Sequence, residues 1–487
     1  MKSFRINNKR IWLAAALQIA IILLSVFLYA DMRFCAVLSI WMYMLVYLST
    51  DIYSNIEIIG FLLCFFVFII GGQVALYFLG YDQYDVVFSN QIENHTNFVI
   101  LLSLVFVFFG YVIGRQNKVR IKKRNSSKHS LLTTADERSI IYTRKVSKWF
   151  FYFASVCWFI VLLEKISYYR TYGYYSLFAD YSSHLPYFVL TVDNFATIPF
   201  YVFCATKPSK KEARIPIIIY AIYMIMSLMT GRRIFVAVGF MILCAIFIIN
   251  NHDTEETWIN KRFLIIVLIA LPFALSLLQI YGVSRFGTAY TKKNILQIIR
   301  DFIGGQGFTV NVIKYEQLFY DKLGHHKYYS FYNTIRFLRT SPLTRWFMPE
   351  YHFEYGTYTA KNAINGNSFA NSVTYLGSPK TFLRGGGYGS CYVAELFHDF
   401  GYAGVIIGNT VLGLFLSYIS KFKNRGIFFA AFSLLMLECL YKTPRYNFDY
   451  VMSEITILTN WIYAGFMVLV ISILYRRGKH RVENRGS

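Results

Sequence analysis

Long apolar runs decide what this chain can fold into. Eleven or twelve of them fill most of its 487 residues. Each is about 17 to 25 residues long, enough for a helix to cross a hydrocarbon core of about 30 Å. Charged residues make up 15% of the chain, against about 25% in soluble domains. Barrel strands would show short alternating segments instead, so the runs predict an all-α, polytopic membrane protein.

We predict about twelve transmembrane helices within a single integral membrane domain, 1–487. The first run, from Ile11 to Ala30, is too long for a signal peptide and is interpreted as an uncleaved anchor. The predicted spans, whose ends carry an error of a few residues, are 11–30, 34–50, 57–80, 98–114, 149–166, 185–205, 215–230, 234–250, 263–281, 402–420, 426–441 and 455–475.

The distribution of charge predicts the orientation. The loop Arg115–Lys148 contains eleven Lys and Arg, and the tail Arg476–Arg485 is also basic. The loops 81–97 and 167–184 are acidic or nearly neutral. Because Lys and Arg collect on cytoplasmic loops, both ends are predicted inside. Topology accounts for the net charge of +23, and no nucleic-acid partner is predicted.

The apolar pattern stops between Val283 and Phe397. The resulting large loop, 283–401, lies between spans nine and ten and is predicted to be periplasmic. It holds thirteen Lys and Arg against seven Asp and Glu, which indicates contact with anionic headgroups or with an anionic substrate. Apolar spacing within it predicts helices over Asn294–Ile303 and Val310–Phe319, lying on the membrane surface.

Arginines recur at the predicted outer ends of the spans. Two of them follow Gly231 between spans seven and eight, and another precedes a glycine run at Gly385–Gly387. A guanidinium fork matches phosphate geometry, and successive glycine N–H groups can form an anion nest. Interfacial anchoring and a plain turn are the alternatives. The candidate diphosphate contacts are Arg232, Arg233, Arg285, Arg384 and Arg445, supported by Gly231 and Gly386.

A group of titratable residues precedes span ten. If the motif from Ala394 to Gly404 is helical, Glu395, His398 and Asp399 share one face. Ionisable groups at the end of a membrane helix indicate function, and desolvation makes a carboxylate a stronger base. The alternative is a first helical turn with its usual acids. Glu395 is the first candidate for a catalytic base and His398 the second, with Asp399 in support.

Motifs for metal or cofactor chemistry are absent from the sequence. HExxH, CxxC, GxSxG and dinucleotide GxGxxG patterns do not occur in a plausible setting, and the first outer loop has no acidic DxD pair. The seven cysteines lack metal-ligand spacing and are interpreted as packing residues. We therefore predict no metal and no cofactor.

These motifs resemble those of the O-antigen polymerase family, Wzy. The resemblance covers the architecture of the whole chain and rests on Gly231–Arg233 and on the stretch from Arg384 to Gly404, which contains AELFHDFGYAG. It implies a fold like that of the C-type glycosyltransferases. It also implies metal-independent polymerisation of undecaprenyl-diphosphate-linked repeat units at the periplasmic face of a bacterial inner membrane. The implied partners are these glycans and membrane lipids, with a chain-length regulator and a flippase as further candidates.

Two other functions stay open at this point. An O-antigen ligase shares the loop and the arginine pattern, and the sequence does not separate it cleanly from a polymerase. A lipid-linked oligosaccharide flippase or other transporter would place charges along several spans and show repeat-related halves. Here the spans are nearly free of charge, with Glu164 and Glu438 as exceptions near span ends, which favours an enzyme.

Overall fold

The computed structural model describes residues 8–27, 31–81, 86–125, 137–260, 294–325, 327–341, 358–421, 423 and 425–483. Every regular element in these ranges is helical. Nine stretches among them are long and apolar enough to cross a membrane: Met32–Leu79, Asn90–Gln116, Glu137–Ala179, Tyr187–Ala205, Lys210–Thr230, Arg233–Asp253, Tyr392–Ile419, Ile427–Arg445 and Leu458–Gly478. The prediction of a polytopic helical membrane protein is confirmed.

The count of twelve spans and the topology of the large loop remain predictions. The predicted ninth span, 263–281, lies outside the described residues. The first corresponds to a shorter apolar helix, Ala14–Val26. The second and third fall within one continuous helical stretch, Met32–Leu79.

The described residues divide into two compact units. Unit 1 falls within 1–118, 269–418 and 440–452, and unit 2 within 119–268, 419–439 and 453–487. The helices of unit 1, some of which run past its limits, are Asn8–Phe27, Met32–Leu48, Ile52–Phe65, Gly71–Leu79, Asn90–Asn125, Ile295–Gln306, Thr309–Leu318, Tyr332–Thr340, Ala360–Asn365, Phe369–Gly377, Pro379–Leu383 and Tyr392–Ile419. Those of unit 2 are Glu137–Ala179, Tyr187–Phe195, Thr197–Ala205, Lys210–Ser227, Arg233–Asp253, Ile427–Lys442 and Leu458–Glu483.

Polar caps explain where the first helices of unit 1 turn. Asp31 begins the helix Met32–Leu48 by accepting from the N–H of Arg33. Asp51, in a short 3-10 turn, begins Ile52–Phe65 by accepting from the N–H of Ser54 at 3.0 Å. Each carboxylate satisfies a donor that the first helical turn leaves without a backbone partner. The two predicted spans therefore meet at a short, capped turn.

Glycines bring two membrane helices of unit 1 into backbone contact. A Cβ at Gly413 would overlap the carbonyl oxygen of Val107, and one at Gly110 would overlap that of Thr410. The glycines therefore lie at one crossing between Asn90–Asn125 and Tyr392–Ile419. Small residues allow such approach in membrane proteins, where van der Waals packing replaces the hydrophobic effect.

The described part of the predicted large loop packs within unit 1. Ile295–Gln306 starts at a capping box formed by Asn294 and Gln297 and packs against Gly71–Leu79. The helix Thr309–Leu318 confirms the predicted helical spacing, but every residue from Thr309 to Glu316 is buried. Its predicted position on the membrane surface is therefore wrong. The apolar residues that suggested a surface helix instead fill a core.

Unit 2 is organised by one long helix. Glu137–Ala179 packs against Tyr187–Phe195, Thr197–Ala205, Lys210–Ser227 and Leu458–Glu483, and it changes direction at Gly173, where φ is 85°. Stacked aromatic rings pack among these helices, such as Trp158 on Tyr223 and Phe200 on Tyr220.

We predict that Gly413→Val destabilises the protein, because the added side chain would separate two helices that touch through their backbones. The expected loss is about 1–3 kcal/mol, the cost of overpacking. It would appear as a lower thermal midpoint of the detergent-solubilised protein. Gly465→Val is the matched control, since a Cβ there meets nothing within 4 Å. Equal midpoints for both variants would contradict the tight crossing.

The predicted topology can be tested with cysteines at exposed positions. Asn365→Cys lies in the predicted periplasmic loop and Lys211→Cys in a predicted cytoplasmic loop, and both positions are exposed. An impermeant thiol reagent applied to whole cells should label the first and not the second. Background labelling should be low because the native cysteines are buried except Cys244, which is half-buried. The opposite pattern would overturn the orientation.

Candidate functional site

A break at Gly401 separates the titratable motif from the membrane helix that follows. Tyr392–Ile419 runs as a helix on both sides of Gly401, where φ is 61° and ψ is −154°. Glycine adopts this conformation without the penalty that a side chain would incur. The segment before the break carries Glu395, His398 and Asp399, so the predicted helical spacing is confirmed. Each of the three side chains has different partners.

Glu395 is fully buried and is held by its own chain. Its Oε1 accepts from Ser390 Oγ at 2.5 Å and from Asn447 Nδ2 at 2.6 Å. Its Oε2 accepts from the N–H of Phe448 at 2.9 Å. A carboxylate has about four acceptor positions, and three of them are directed at protein donors. This arrangement suits a carboxylate that joins segments better than one that receives a proton from a substrate.

Asp399 and Asp449 fix the start of two successive helical turns. Asp399 accepts from the N–H groups of Tyr329 and Ser330, at 3.1 and 2.7 Å. Asp449 accepts from Asn333 Nδ2 at 2.9 Å and from the N–H of Thr334 at 2.7 Å. Both side chains satisfy N–H groups at helix starts, as capping carboxylates do. The described contacts of Asp399 and Asp449 therefore serve the segment 329–334.

His398 forms a buried pair with Glu316. The distance from His398 Nδ1 to Glu316 Oε1 is 3.2 Å, and the two side chains are 1% and 0% exposed. His398 Nε2 and Glu316 Oε2 have no hydrogen-bond partner among the described residues. Glu316 is not among the residues predicted from the sequence. No local signal in the sequence singles it out, because the helix Thr309–Leu318 mixes polar and apolar residues.

Aromatic rings surround the imidazole of His398. The ring of His325 stacks on it at 5.4 Å between centroids, with 7° between the planes. The rings of Tyr320 and Tyr329 lie at the same centroid distance, the first edge-on and the second tilted. His325 is exposed, so His398 lies one ring beneath the surface of unit 1.

A second buried pair lies on the same helix as Glu316. Lys314 Nζ is 2.5 Å from Glu93 Oε1, and the lysine side chain is 3% exposed. Burial lowers the pKa of Lys314, and the charge of Glu93 opposes this shift. Burial raises the pKa of Glu316, and the contact with His398 opposes that shift. The helix Thr309–Leu318 therefore buries two charged groups, each beside a partner.

The glycine run after Arg384 ends a short helix. The N–H of Gly386 donates to the carbonyl of Thr381, and that of Gly385 to the carbonyl of Phe382. With φ of 93° at Gly385, this is the Schellman pattern of a helix C-terminus. The expected anion nest is therefore wrong for these two N–H groups. Arg384 itself is exposed.

Arg445 is partly buried and lies against protein groups. Its Nη1 donates to Gln306 Oε1 at 2.9 Å. Its guanidinium lies over the ring of Phe68, 5.8 Å from the centroid. The side chain therefore holds the helix Ile295–Gln306 to the turn Thr443–Arg445.

In unit 2, Gly231–Arg233 forms the turn between two spans. Gly231 has a φ of 75° and closes the turn Leu228–Thr230. Arg232 lies over the rings of Phe178 and Phe235, at 5.1 and 5.8 Å. Arg233 begins the helix Arg233–Asp253, whose N-terminus has no side-chain cap and no acid in its first turn. Two guanidinium groups beside an uncapped N-terminus favour an anion.

Further charged residues accompany Arg232 in unit 2. Asp193 interacts electrostatically with both Lys165 and Arg232. Neither Lys165 nor Asp193 is predicted from the sequence, because no local pattern links the two spans that carry them. Glu164 accepts from Tyr181 Oη and Ser183 Oγ, each at 2.6 Å. These contacts hold the loop after the long helix in place.

Unit 2 also contains an apolar cavity of about 340 Å³ between its helices. Tyr201 lines it, and the hydroxyl of Tyr201 donates to Glu438 Oε2 at 2.5 Å. The other lining residues are Ile198, Val202, Phe428, Ala431, Phe432, Leu435, Trp461, Ala464, Gly465, Met467 and Val468. The lining favours an apolar group.

The predicted diphosphate contacts are divided between the units. Arg384 and Arg445 belong to unit 1, and Arg232 and Arg233 to unit 2. Arg285 lies outside the described residues. The convergence of these arginines on one anion remains a prediction. In the described ranges, no group of three or more His, Cys, Asp or Glu is arranged to hold a metal ion.

These features define a multi-pass membrane protein whose apolar helices carry titratable groups near their ends. A family model, O-antigen polysaccharide polymerase Wzy, matches residues 10–478, and the chain belongs to that family. The resemblance drawn from the motifs is confirmed. Membership assigns the chain to polysaccharide biosynthesis, as a glycosyltransferase-like polymerase of O-antigen repeat units. Neither a curated protein nor a solved structure matches the chain.

We predict that Glu395→Gln destabilises the protein. The amide replaces an acceptor oxygen with an NH₂ group that faces the donors Asn447 or Phe448. Leaving a buried donor without an acceptor costs about 1–3 kcal/mol, which should lower the thermal midpoint of the purified protein.

Ser390→Ala is the milder comparison for Glu395→Gln. It removes one donor and leaves Glu395 bonded to Asn447 and Phe448, so a smaller loss of stability is expected. A Glu395→Gln variant as stable as the unaltered protein that forms no polymer would instead assign Glu395 to the chemistry.

Proposed function

We propose that this chain extends O-antigen by transferring the growing glycan from undecaprenyl diphosphate to the terminal sugar of a newly flipped, lipid-linked repeat unit. The reaction takes place at the periplasmic face of the bacterial inner membrane and uses no metal. The match of the polymerase family model to residues 10–478 carries this proposal.

The reaction defines what the protein must supply. The bond between the anomeric carbon of the donor and a diphosphate oxygen breaks, and a bond from that carbon to the acceptor hydroxyl oxygen forms. The hydroxyl proton passes to a base, and undecaprenyl diphosphate leaves with the electron pair. Negative charge grows on the diphosphate in the transition state, so fixed cations directed at it lower the barrier.

We assign the base to His398 in preference to Glu395. The free Nε2 of His398 supports this choice, since a base needs a lone pair that no protein donor occupies. Glu395 already accepts hydrogen bonds from Ser390, Asn447 and Phe448 at three of its acceptor positions. In this proposal Glu395 holds the segments on which the site is built, and Asp399 holds the turn at Tyr329.

The acceptor sugar reaches His398 only if the covering ring moves. His325 stacks on His398 and is itself exposed. The segment that carries it follows the helix Thr309–Leu318. Displacement of the His325 ring by a sugar would exchange one stacking partner for another and uncover Nε2.

The arginines remain the proposed contacts of the leaving diphosphate. Arg232 and Arg233 have the strongest support, from the uncapped helix N-terminus beside them. Lys165 adds a third cation near Arg232. Arg384 is supported by its exposure, and Arg285 by its sequence position alone. Arg445 has the weakest support because Gln306 and Phe68 already contact its guanidinium.

We predict that His398→Ala abolishes chain growth without loss of the protein from the membrane. Cells should then carry lipid A core with a single repeat unit, because joining one unit to the core needs no polymer. Gel electrophoresis of lipopolysaccharide distinguishes this result from the long ladder of the parent. Bare core with accumulated lipid-linked polymer would indicate a ligase, and a normal ladder would remove His398 from the reaction.

We predict that chain growth depends on both the charge and the planar geometry of these arginines. Arg232→Ala and Arg384→Ala should shorten or abolish the ladder, and Lys at either position should restore it poorly because the bidentate fork is lost. Lys380→Ala is the matched control for Arg384, since it is an exposed cation in the adjoining helix. A normal ladder from an Ala variant would exclude that arginine from the site.

A further inference from the structure

We propose that Glu316 is the positioning residue for His398. Its carboxylate accepts the Nδ1–H of the imidazole, which leaves Nε2 as the unprotonated nitrogen that takes the proton of the acceptor hydroxyl. The inference rests on the proposed function, because it gives His398 the role of base. It adds a residue from the helix Thr309–Leu318 to the reaction.

The contact between the two side chains determines the tautomer. A neutral imidazole carries one N–H, and the other nitrogen is an acceptor. With Glu316 ionised, its carboxylate only accepts, so His398 Nδ1, 3.2 Å from Glu316 Oε1, carries the hydrogen. A hydrogen bond to one nitrogen sets the state of the other. Nε2 is thus left with a free lone pair.

Rigid surroundings keep the ring in this orientation. Both side chains lie on helices and are almost completely buried. Tyr320, Tyr329 and Phe369 pack around the imidazole. None of these rings forms a hydrogen bond with Nε2. Leaving a buried polar atom without a partner is unfavourable, and a substrate hydroxyl would supply the missing bond.

The charges near the pair favour an imidazolium once the proton arrives. Glu316 contributes one negative charge. Asp399, on the same helix as His398, interacts electrostatically with His398. Lys314, two residues from Glu316, is bonded to Glu93. His325 is the titratable group stacked on the ring. Burial raises the pKa of Glu316, and formation of the imidazolium beside it favours its ionised form.

The test compares the pH dependence of polymerisation by the full-length chain in lipid nanodiscs, with lipid-linked repeat units as substrate. Glu316→Gln should lower kcat about 10- to 100-fold, part of the 10²–10⁴ that a general base supplies. KM should stay unchanged because Glu316 does not touch substrate. Without the nearby anion the imidazole loses its proton more easily, so the acidic limb of the profile should move to lower pH. Glu316→Asp should recover part of kcat.

Glu93→Gln is the matched control. It weakens the other buried pair on the same helix, that of Lys314, and leaves Glu316 and His398 in place. The acidic limb of its pH profile should lie at the same pH as that of the unaltered protein. A Glu316→Gln variant with normal kcat would overturn the positioning role. So would a variant whose kcat falls equally at every pH and whose acidic limb stays at the same pH. An active His398→Ala variant would instead overturn the base assignment in the proposed function.

A measurement on the unaltered protein covers the case in which Glu316→Gln does not fold. NMR spectra of the ¹⁵N-histidine-labelled protein contain a pair of ring-nitrogen signals for each imidazole. The pair that is missing from the spectrum of His398→Gln belongs to His398. At neutral pH its shifts should report hydrogen on Nδ1 and a bare Nε2. Hydrogen on Nε2 with a bare Nδ1 would contradict the proposal directly.

Discussion

Three side chains on two turns of one helix hold the polar part of unit 1 together. Glu395 bonds to Ser390, Asn447 and Phe448. His398 bonds to Glu316, and Asp399 to the turn at Tyr329. Burying a charged or polar group is costly unless it is paired, so each side chain requires its partner segment to be present. Segments distant in sequence are in this way brought to one place in the fold.

The same constraint separates structural from chemical carboxylates. A carboxylate whose acceptor positions face protein donors lowers the energy of the fold and has little left to offer a substrate. Glu395 is of this kind in its described contacts. A histidine with one nitrogen bonded and the other bare has the opposite character, because the bond on one side orients the free lone pair on the other. Glu395 and His398 differ in their hydrogen-bond partners and not in their burial, since both side chains are buried.

Much of the fold could be predicted because hydrophobic periodicity and charge determine it. The apolar runs identify the membrane helices, and the spacing of Glu395, His398 and Asp399 identifies their common helix. The partners of these residues could not be predicted. Glu316 is 82 residues from His398 in sequence, and no local pattern links two such positions. The interaction between Asp193 and Lys165 likewise could not be predicted, because it forms only when two spans lie side by side.

Errors of prediction share one physical origin. An amphipathic pattern shows that a helix has an apolar face but not what covers it. The helix predicted over Val310–Phe319 is expected on the membrane surface, whereas protein buries Thr309 to Glu316. A glycine run shows freedom of the backbone but not which N–H groups remain available. At Gly385 and Gly386 those groups close a helix.

The break at Gly401 has a consequence for how sequences of this kind can diverge. In an uninterrupted helix, one inserted residue rotates everything beyond it by about 100°, so changes in a membrane span would turn His398 away from Glu316. At Gly401 the backbone leaves helical geometry. The membrane portion can therefore change length and lipid contacts while the nine residues from Tyr392 to Phe400 keep their register.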